Sequence, residues 1–284
     1  MSARILLVGA TGKQGGKTLQ SLLEAGHPPA SITCLTRNPA SDSAKEIASK
    51  GVNLVKGSLT DIPSLKDALK DKDAAFLVTS IPGKGEPVEE EQGRNFISAA
   101  TATSLPYLVF TSVASASPSC GIPHFESKAR IEESLKDSGI KWSILRPVAF
   151  FDNWPKQPGL PQMAALGLFD AALKGRPLQM VSCDDIGHFA AQALLNPEQY
   201  AGRTIDLAGD ELTMEQARQA YARVSGKSNW GVWKAYIPGV ALLALPYDLR
   251  MMFYWFHNQG YSVNIPTVKS EHPALLTFED WLRK

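Results

Sequence analysis

Residues 5–15 read ILLVGATGKQG, and this stretch decides the fold. An apolar, strand-like run ends at Val8, glycines follow at positions 9, 12 and 15, and a helical pattern begins where the glycines end. Glycines allow a tight turn and a close approach of the backbone, and the N–H groups at the start of a helix bind a pyrophosphate. The stretch therefore predicts a dinucleotide-binding loop, with cofactor contacts at Gly9, Thr11, Gly12, Lys13, Gln14 and Gly15.

Short β-branched runs alternate with longer helical patterns downstream of this loop. The predicted strands are residues 4–8, 31–36, 53–56, 75–79, 107–112 and 141–146. The predicted helices are residues 15–24, 38–50, 62–69, 89–104 and 125–138. This alternation is typical of a parallel sheet that is buried on both faces. We therefore predict a doubly wound α/β fold of the Rossmann type with strand order 3-2-1-4-5-6.

The regular alternation ends after Pro147, where residues 150–155 are rich in phenylalanine, tryptophan and proline. Further helical patterns and one strand-like run follow at residues 186–195, 213–225, 246–259 and 204–208. We predict an NAD(P)-binding domain over residues 1–150 and a smaller, discontinuous region for substrate or partner binding over residues 151–284. Elements of this second region can return to the sheet.

The composition excludes several classes of protein. Lys and Arg number 29 against 28 Asp and Glu, so no global basic field exists to attract nucleic acid or an anionic membrane. The most apolar later segment, residues 235–247, has only 13 residues, too few to span a membrane. Cys34, Cys120 and Cys183 form no CxxC pair, so we predict neither disulfides nor a metal site. A cytoplasmic protein is expected.

The end of the second predicted strand distinguishes NAD from NADP. An acid at this point binds the 2′-hydroxyl of NAD, whereas an arginine accommodates the 2′-phosphate of NADP. Arg37 follows the strand directly, and the nearest acid is Asp42 in the next helical pattern. We therefore predict NADP(H), with Lys13 as a second phosphate contact; the alternative is a solvent-exposed arginine at a strand end. Thr79 and Pro147, at the ends of later strands, complete the predicted cofactor contacts.

Ser112, His124 and Lys128 form the predicted catalytic set. Ser112 ends the fifth predicted strand, and the four-residue spacing of His124 and Lys128 places both on one helix face. The short-chain dehydrogenases show a similar spacing, Ser…Tyr-x-x-x-Lys, in which the lysine binds the nicotinamide ribose and the serine orients the substrate carbonyl. Here His124 stands in place of the tyrosine, and histidine can act as a general acid near neutral pH. The alternatives are helix capping by His124 and backbone pairing by Ser112.

With these motifs the chain resembles the NmrA-like family, atypical relatives of the short-chain dehydrogenases. The matching stretches are residues 8–16, 36–39, 124–128, 145–147 and 275–282, together with Phe150 and Asn153. The resemblance implies NADP binding by Gly9, Gly12, Gly15, Arg37 and Lys128, in either a reductase or a redox-sensing regulator. Gly57-Ser58 departs from the Gly-Asp pair of many extended relatives.

Other conspicuous groups are assigned structural roles. Asp184 and Asp185 are predicted to cap the helix that follows them, and residues 89–91, three glutamates, are predicted to open a helix as a solvated face. The second region has an aromatic cluster, which we interpret as core and as the wall of a pocket for an apolar ligand, with a partner interface as the alternative. Its members are Trp230, Trp233, Tyr236, Tyr247 and residues 251–256.

Two functions fit these features. The first is an NADPH-dependent reductase that acts on a carbonyl or conjugated double bond of an apolar small molecule, favoured by the spacing of Ser112, His124 and Lys128. The second is a non-catalytic NADP(H) sensor that binds a protein partner, favoured by the missing tyrosine. Redox-neutral chemistry such as isomerisation in the same pocket is a third alternative. The sequence names neither the substrate nor the oligomeric state.

Overall fold

The computed structural model describes residues 2–80, 89–226 and 233–284. The strands are β1 (Ile5–Val8), β2 (Ile32–Thr36), β3 (Asn53–Lys56), β4 (Ala74–Val78), β5 (Tyr107–Thr111), β6 (Lys141–Pro147), β7 (Ala149–Phe150), β8 (Leu178–Val181), β9 (Thr204–Leu207) and β10 (Asp210–Leu212). The central sheet has the order β3-β2-β1-β4-β5-β6-β9, and β3, β2, β1, β4, β5 and β6 are parallel to one another. The predicted doubly wound α/β class is confirmed, and β9 adds a seventh strand beside β6.

As far as α5, the helices follow the strands in the alternation that the sequence predicts. They are α1 (Lys13–Glu24), α2 (Asp42–Ala48), α3 (Ile62–Leu69), α4 (Glu89–Ala102), α5 (Pro123–Lys136), α6 (Leu160–Leu173), α7 (Cys183–Leu195), α8 (Pro197–Tyr200), α9 (Met214–Ser225), α10 (Tyr247–Asn258), α11 (Ile265–Glu271) and α12 (Phe278–Arg283). None of the described helices is both long and apolar enough to cross a membrane.

Capping explains why α2 begins later than predicted. The helical pattern suggested a start at residue 38, but the Asn38 side chain accepts a hydrogen bond from the Ala40 N–H and forms a turn instead. Ser41 then caps the helix by accepting a hydrogen bond from the Ala44 N–H at 3.3 Å. A hydroxyl at this position satisfies one of the N–H groups that a helix start leaves open. The helix therefore begins at Asp42.

The chain divides into two compact units. The first comprises Met1–Cys120, His124–Arg146 and Ile186–Ile205, within the described residues, and the second comprises Gly121–Pro123, Pro147–Asp185 and Asp206–Lys284. In the first unit, β1 and β5 are buried along their whole length, as expected for strands covered by helices on both faces. The second unit contains a three-stranded sheet of order β10-β8-β7. The sequence did not predict these short strands.

Asp185 has a different role in the second unit from the predicted helix cap. Its carboxylate is buried, lies 3.2 Å from Nε2 of His272, and accepts a hydrogen bond from the Leu276 N–H at 3.3 Å. Burial raises the pKa of Asp185, although the contacts with His272 and Leu276 oppose this effect. Asp185 therefore anchors the C-terminal segment, which sequence spacing alone does not reveal.

Helix α7 packs against α1 at a position where no side chain fits. A Cβ atom placed on Gly187 would lie 2.5 Å from the carbonyl carbon and 2.6 Å from the carbonyl oxygen of Lys17. Such distances are far inside van der Waals contact, and backbone atoms cannot move aside as a flexible side chain can. The close approach of the two helices therefore requires glycine at position 187.

Gly187→Ala tests this contact. On helix propensity alone, alanine inside α7 would stabilise the protein by up to about 1 kcal/mol. Because the methyl group would meet the backbone of α1, we expect instead a loss of about 1–3 kcal/mol in the free energy of unfolding, measured by urea denaturation. Gly239→Ala is the control, since nothing lies within 4 Å of the added Cβ there. A stabilised Gly187→Ala variant would contradict the packing.

Candidate functional site

The glycine loop forms a tight turn between β1 and α1. The Gly12 N–H donates to the Gly9 carbonyl at 2.9 Å, and Gly12 is the N-cap of α1 without a side chain to cap it. A Cβ atom on Gly15 would lie 2.3 Å from the Gly9 oxygen, so only glycine allows the helix to start this close to the strand. The first turn of α1 contains no acidic residue. An anion such as a phosphate fits this helix start.

Gln14 connects the glycine loop to the end of β5. Its side-chain oxygen accepts a hydrogen bond of 2.6 Å from the Thr111 hydroxyl, at the end of β5. The side-chain carbonyl of Gln14, a predicted cofactor contact, therefore has a structural role. Thr11 and Gly12 in the loop and Lys13 at the start of α1 are exposed.

Arg37 lies at the same edge of the sheet as the glycine loop. Val8 pairs with Leu35 in the parallel register of β1 and β2, so Gly9 and Arg37 both follow the carboxyl ends of neighbouring strands. The Arg37 side chain is exposed, and the turn after it is held by the Asn38 N–H, which donates to the Thr36 hydroxyl at 3.3 Å. An exposed guanidinium at this edge can form a bidentate contact with a phosphate.

The carboxylate of Glu89 is the centre of a buried polar cluster, defined here as Thr79, Glu89, Ser127 and Lys128. Its Oε1 accepts hydrogen bonds of 2.7 Å from the Thr79 hydroxyl and 2.7 Å from the Lys128 ammonium, and its Oε2 accepts one of 2.8 Å from the Ser127 hydroxyl. Lys128 also donates to the Thr79 oxygen at 3.3 Å. The cluster thus joins the end of β4 to the first turn of α4 and the second turn of α5.

The electrostatics of the cluster favour an ionised Glu89. Burial alone would raise the pKa of this carboxyl, but the positive charge of Lys128 and the hydrogen bonds from Lys128, Thr79 and Ser127 outweigh burial and hold the pKa below its usual range. The first turn of a helix also favours negative charge. A carboxylate and an ammonium therefore form a buried ion pair, with side-chain exposures of 5% and 15%.

The prediction of a solvated face for residues 89–91 is wrong for Glu89. Nothing in the sequence distinguishes Glu89 from Glu90 and Glu91, and its partner Lys128 is 39 residues away in sequence. Glu90 pairs with Arg94 and Arg130 on the half-buried flank of the helix, and Glu91 is exposed. One glutamate of the three therefore belongs to the candidate site, a residue that sequence reasoning missed.

Ser112 lies directly after β5. Its N–H donates to the Leu145 carbonyl at 2.7 Å, which ties it to β6. Its side-chain oxygen is buried and has no hydrogen-bond partner within the described part of the chain. A buried hydroxyl without a partner costs free energy, so this atom is a candidate for contact with a bound ligand.

His124 lies in the first turn of α5, one turn before Lys128. Its ring is half-buried and packs on the edge of Phe125 at a centroid distance of 4.8 Å, and its backbone carbonyl accepts a hydrogen bond from the Ser127 hydroxyl at 3.1 Å. His124 and Ser112 stand on different elements, whereas Lys128 and Thr79 are in direct contact.

Pro147 is the last residue of β6, and the residue before it has a structural role. Arg146 forms a bidentate pair with the buried Glu132 of α5, with N···O distances of 2.8 and 2.5 Å. Pairing of this kind fixes α5 against the strand. Arg146 thus supports the helix that carries His124 and Lys128.

The aromatic cluster of the second unit separates into core and surface. Phe253, Trp255 and Phe256 are buried, as predicted. The exposed aromatic side chains are Trp233 (53%), Tyr236 (91%), Tyr247 (60%) and Tyr254 (66%). Their assignment to the core is wrong because α10 buries only one face and the segment before it lies at the surface. Trp230 lies outside the described residues.

The chain is similar to known proteins over most of its length. Quinone oxidoreductase 2 of Escherichia coli (strain K12) is 28% identical over 228 residues, which cover 78% of this chain and 75% of the relative. A crystal structure of NADPH-dependent quinone oxidoreductase from Escherichia coli, complexed with NADPH, aligns with a TM-score of 0.76, 24% identity and 98% coverage of each chain.

A third similar protein is a regulator. The structure of NmrA, a negative transcriptional regulator, in complex with NADP aligns with a TM-score of 0.74 and 17% identity, covering 100% of this chain and 95% of that chain. At such identities the structural likeness shows the fold. The model of the NmrA-like family matches residues 1–282, nearly the whole sequence. This range includes the glycine loop and the parallel sheet described above. The chain belongs to the NmrA-like family.

Proposed function

We propose that this protein binds NADP(H) and reduces a carbonyl or conjugated double bond of an apolar small molecule. The observation that carries the proposal is the common edge of the sheet. The uncapped start of α1, Arg37 after β2, Thr79 after β4 and Ser112 after β5 all follow carboxyl ends of parallel strands. In open α/β sheets this edge is where dinucleotides and their substrates bind.

The residues at this edge fit NADP(H). The N–H groups at the start of α1 would hold the pyrophosphate, and Arg37, with Lys13 beside the loop, would hold the 2′-phosphate. Lys128 would bind the nicotinamide ribose, with Thr79 beside it. The buried Ser112 hydroxyl, which has no partner among the described residues, would gain one from a ligand. When bound, NADPH supplies a hydride.

The protein must also supply a proton if a carbonyl is reduced. His124 is our candidate donor because imidazole can transfer a proton near neutral pH and because this residue stands one helix turn from Lys128. Ser112 would orient the substrate oxygen by donating its hydroxyl hydrogen. An apolar substrate agrees with the relative that is named a quinone oxidoreductase.

A sensor that binds a protein partner is the second candidate. The exposed side chains of Trp233, Tyr236, Tyr247 and Tyr254 favour it, since aromatic residues are enriched at protein interfaces. NmrA, described as a negative transcriptional regulator and crystallised with NADP, is a relative of this kind. A sensor and a reductase would share the cofactor contacts and differ at His124.

The cofactor is tested by titrating NADP and NAD into the protein by calorimetry. Because a guanidinium–phosphate contact contributes about 1.5–3 kcal/mol, Arg37→Ala should weaken NADP binding about 10- to 100-fold and leave NAD binding nearly unchanged. Lys70→Ala, which removes an exposed cation at the C-terminal end of α3, is the control and should change neither. Equal losses for both cofactors would show that Arg37 does not bind the 2′-phosphate.

The reaction is tested by mixing the protein with NADPH and a panel of quinones, enones and aldehydes while the absorbance of the reduced nicotinamide is followed. If His124 donates the proton, His124→Ala should lower turnover by about 10²–10⁴-fold and leave NADPH affinity largely intact. Full turnover in this variant would remove His124 from the mechanism. No oxidation of NADPH with any substrate, together with tight binding, would favour the sensor.

A further inference from the structure

The lysine of the proposed site is held by a partner that no sequence motif suggested. A lysine side chain has a flexible four-carbon stem and loses rotamer freedom when it is fixed in one place. Two of the three N–H groups of Lys128 are directed to Glu89 and Thr79, at 2.7 and 3.3 Å. Glu89 is itself fixed by the Thr79 and Ser127 hydroxyls. The position of the ammonium is therefore set by contacts on three elements.

We propose that Glu89 is a positioning residue, whose carboxylate holds the Lys128 ammonium at the end of β4 so that its remaining N–H group meets the nicotinamide ribose. This inference rests on the proposed function, because it takes NADP(H) as the ligand. Glu89 acts through Lys128 and needs no contact of its own with the cofactor.

The packing of α4 on α5 explains how a side chain from another helix reaches this lysine. A Cβ atom on Gly93 would lie 2.6 Å from the Cγ1 atom of Ile131, so the two helices approach closely at this point. Glu89 precedes Gly93 by four residues and Ser127 precedes Ile131 by four, which places both pairs on matching helix faces. The close contact one turn further along therefore brings Glu89 onto Ser127 and Lys128.

A role in stability and a role in positioning Lys128 predict different results. A buried ion pair often contributes little net stability compared with apolar residues of the same size, because both charges must leave water. A carboxylate that only stabilised the fold would, when changed, affect all ligands alike. A carboxylate that positions Lys128 would affect only ligands that include the nicotinamide half.

Glu89→Gln separates these two roles, with NADPH and 2′,5′-ADP as the two ligands. The second ligand has the adenosine and 2′-phosphate but lacks the nicotinamide ribose. We expect the variant to bind NADPH about 10-fold or more weakly, as for loss of a charge-assisted hydrogen bond, and to bind 2′,5′-ADP like the wild type. Unchanged 2′,5′-ADP affinity also shows that the unit is folded. The control is Glu91→Gln, an exposed carboxylate of the same helix turn, which should change neither affinity.

A double-mutant cycle with Lys128→Met tests whether Glu89 acts through this lysine. If it does, Glu89→Gln combined with Lys128→Met should bind NADPH no more weakly than Lys128→Met alone. The double variant carries no unpaired buried charge, and binding of 2′,5′-ADP shows for each variant whether the protein is folded. Additive losses would overturn the inference.

Other outcomes separate this inference from the proposed function. Glu89→Gln that binds both ligands like the wild type, or that loses both equally, would overturn the positioning role and leave NADP(H) binding intact. A wild-type protein that binds neither ligand would overturn the proposed function and this inference with it. Glu89→Asp, which keeps the charge on a shorter side chain, should recover part of the NADPH affinity and no more.

Discussion

The first unit depends on the close approach of backbones and helices at positions without a side chain. Gly15 lets α1 start against the turn after β1, Gly187 lets α7 lie on α1, and Gly93 lets α4 lie on α5. At two of these contacts the neighbouring atoms are backbone, which cannot give way. Protein interiors are packed densely enough that even one methyl group matters. The positions of the helices, and thus of the side chains they carry, follow from these contacts.

The chemistry of the candidate site follows from the same arrangement. The parallel strands end at one edge, and the loops after them place Gly9, Arg37, Thr79 and Ser112 there. Two helices then bring a negative and a positive group together under cover from water. The attraction between Glu89 and Lys128, together with the hydrogen bonds from Thr79 and Ser127, offsets the cost of burying the two charges. The arrangement is costly to lose in part, because removing one partner leaves the other charge buried alone.

The sequence predicted the sheet well and the site in part. The alternation of strand and helix patterns predicts β1 to β6, and the signal is strongest for β1, β4 and β5, whose burial gives continuous apolar runs. The roles of the predicted site residues stay predictions. Glu89 could not be assigned, since three adjacent glutamates look alike until a partner distant in sequence is known. The strands β7, β8 and β10 were missed because runs of two to four residues carry too little periodicity.

The contact of Gly93 with Ile131 has a consequence for attempts to redesign this protein. Residues 89, 93, 127 and 131 lie on facing turns of two helices, and a larger side chain at position 93 would separate those turns. A library that varies these positions singly would mostly sample damaged scaffolds, whereas joint variation could find new compatible sets. Substrate preference is therefore better altered at other positions, and residues 89, 93, 127 and 131 are better changed together or left unchanged.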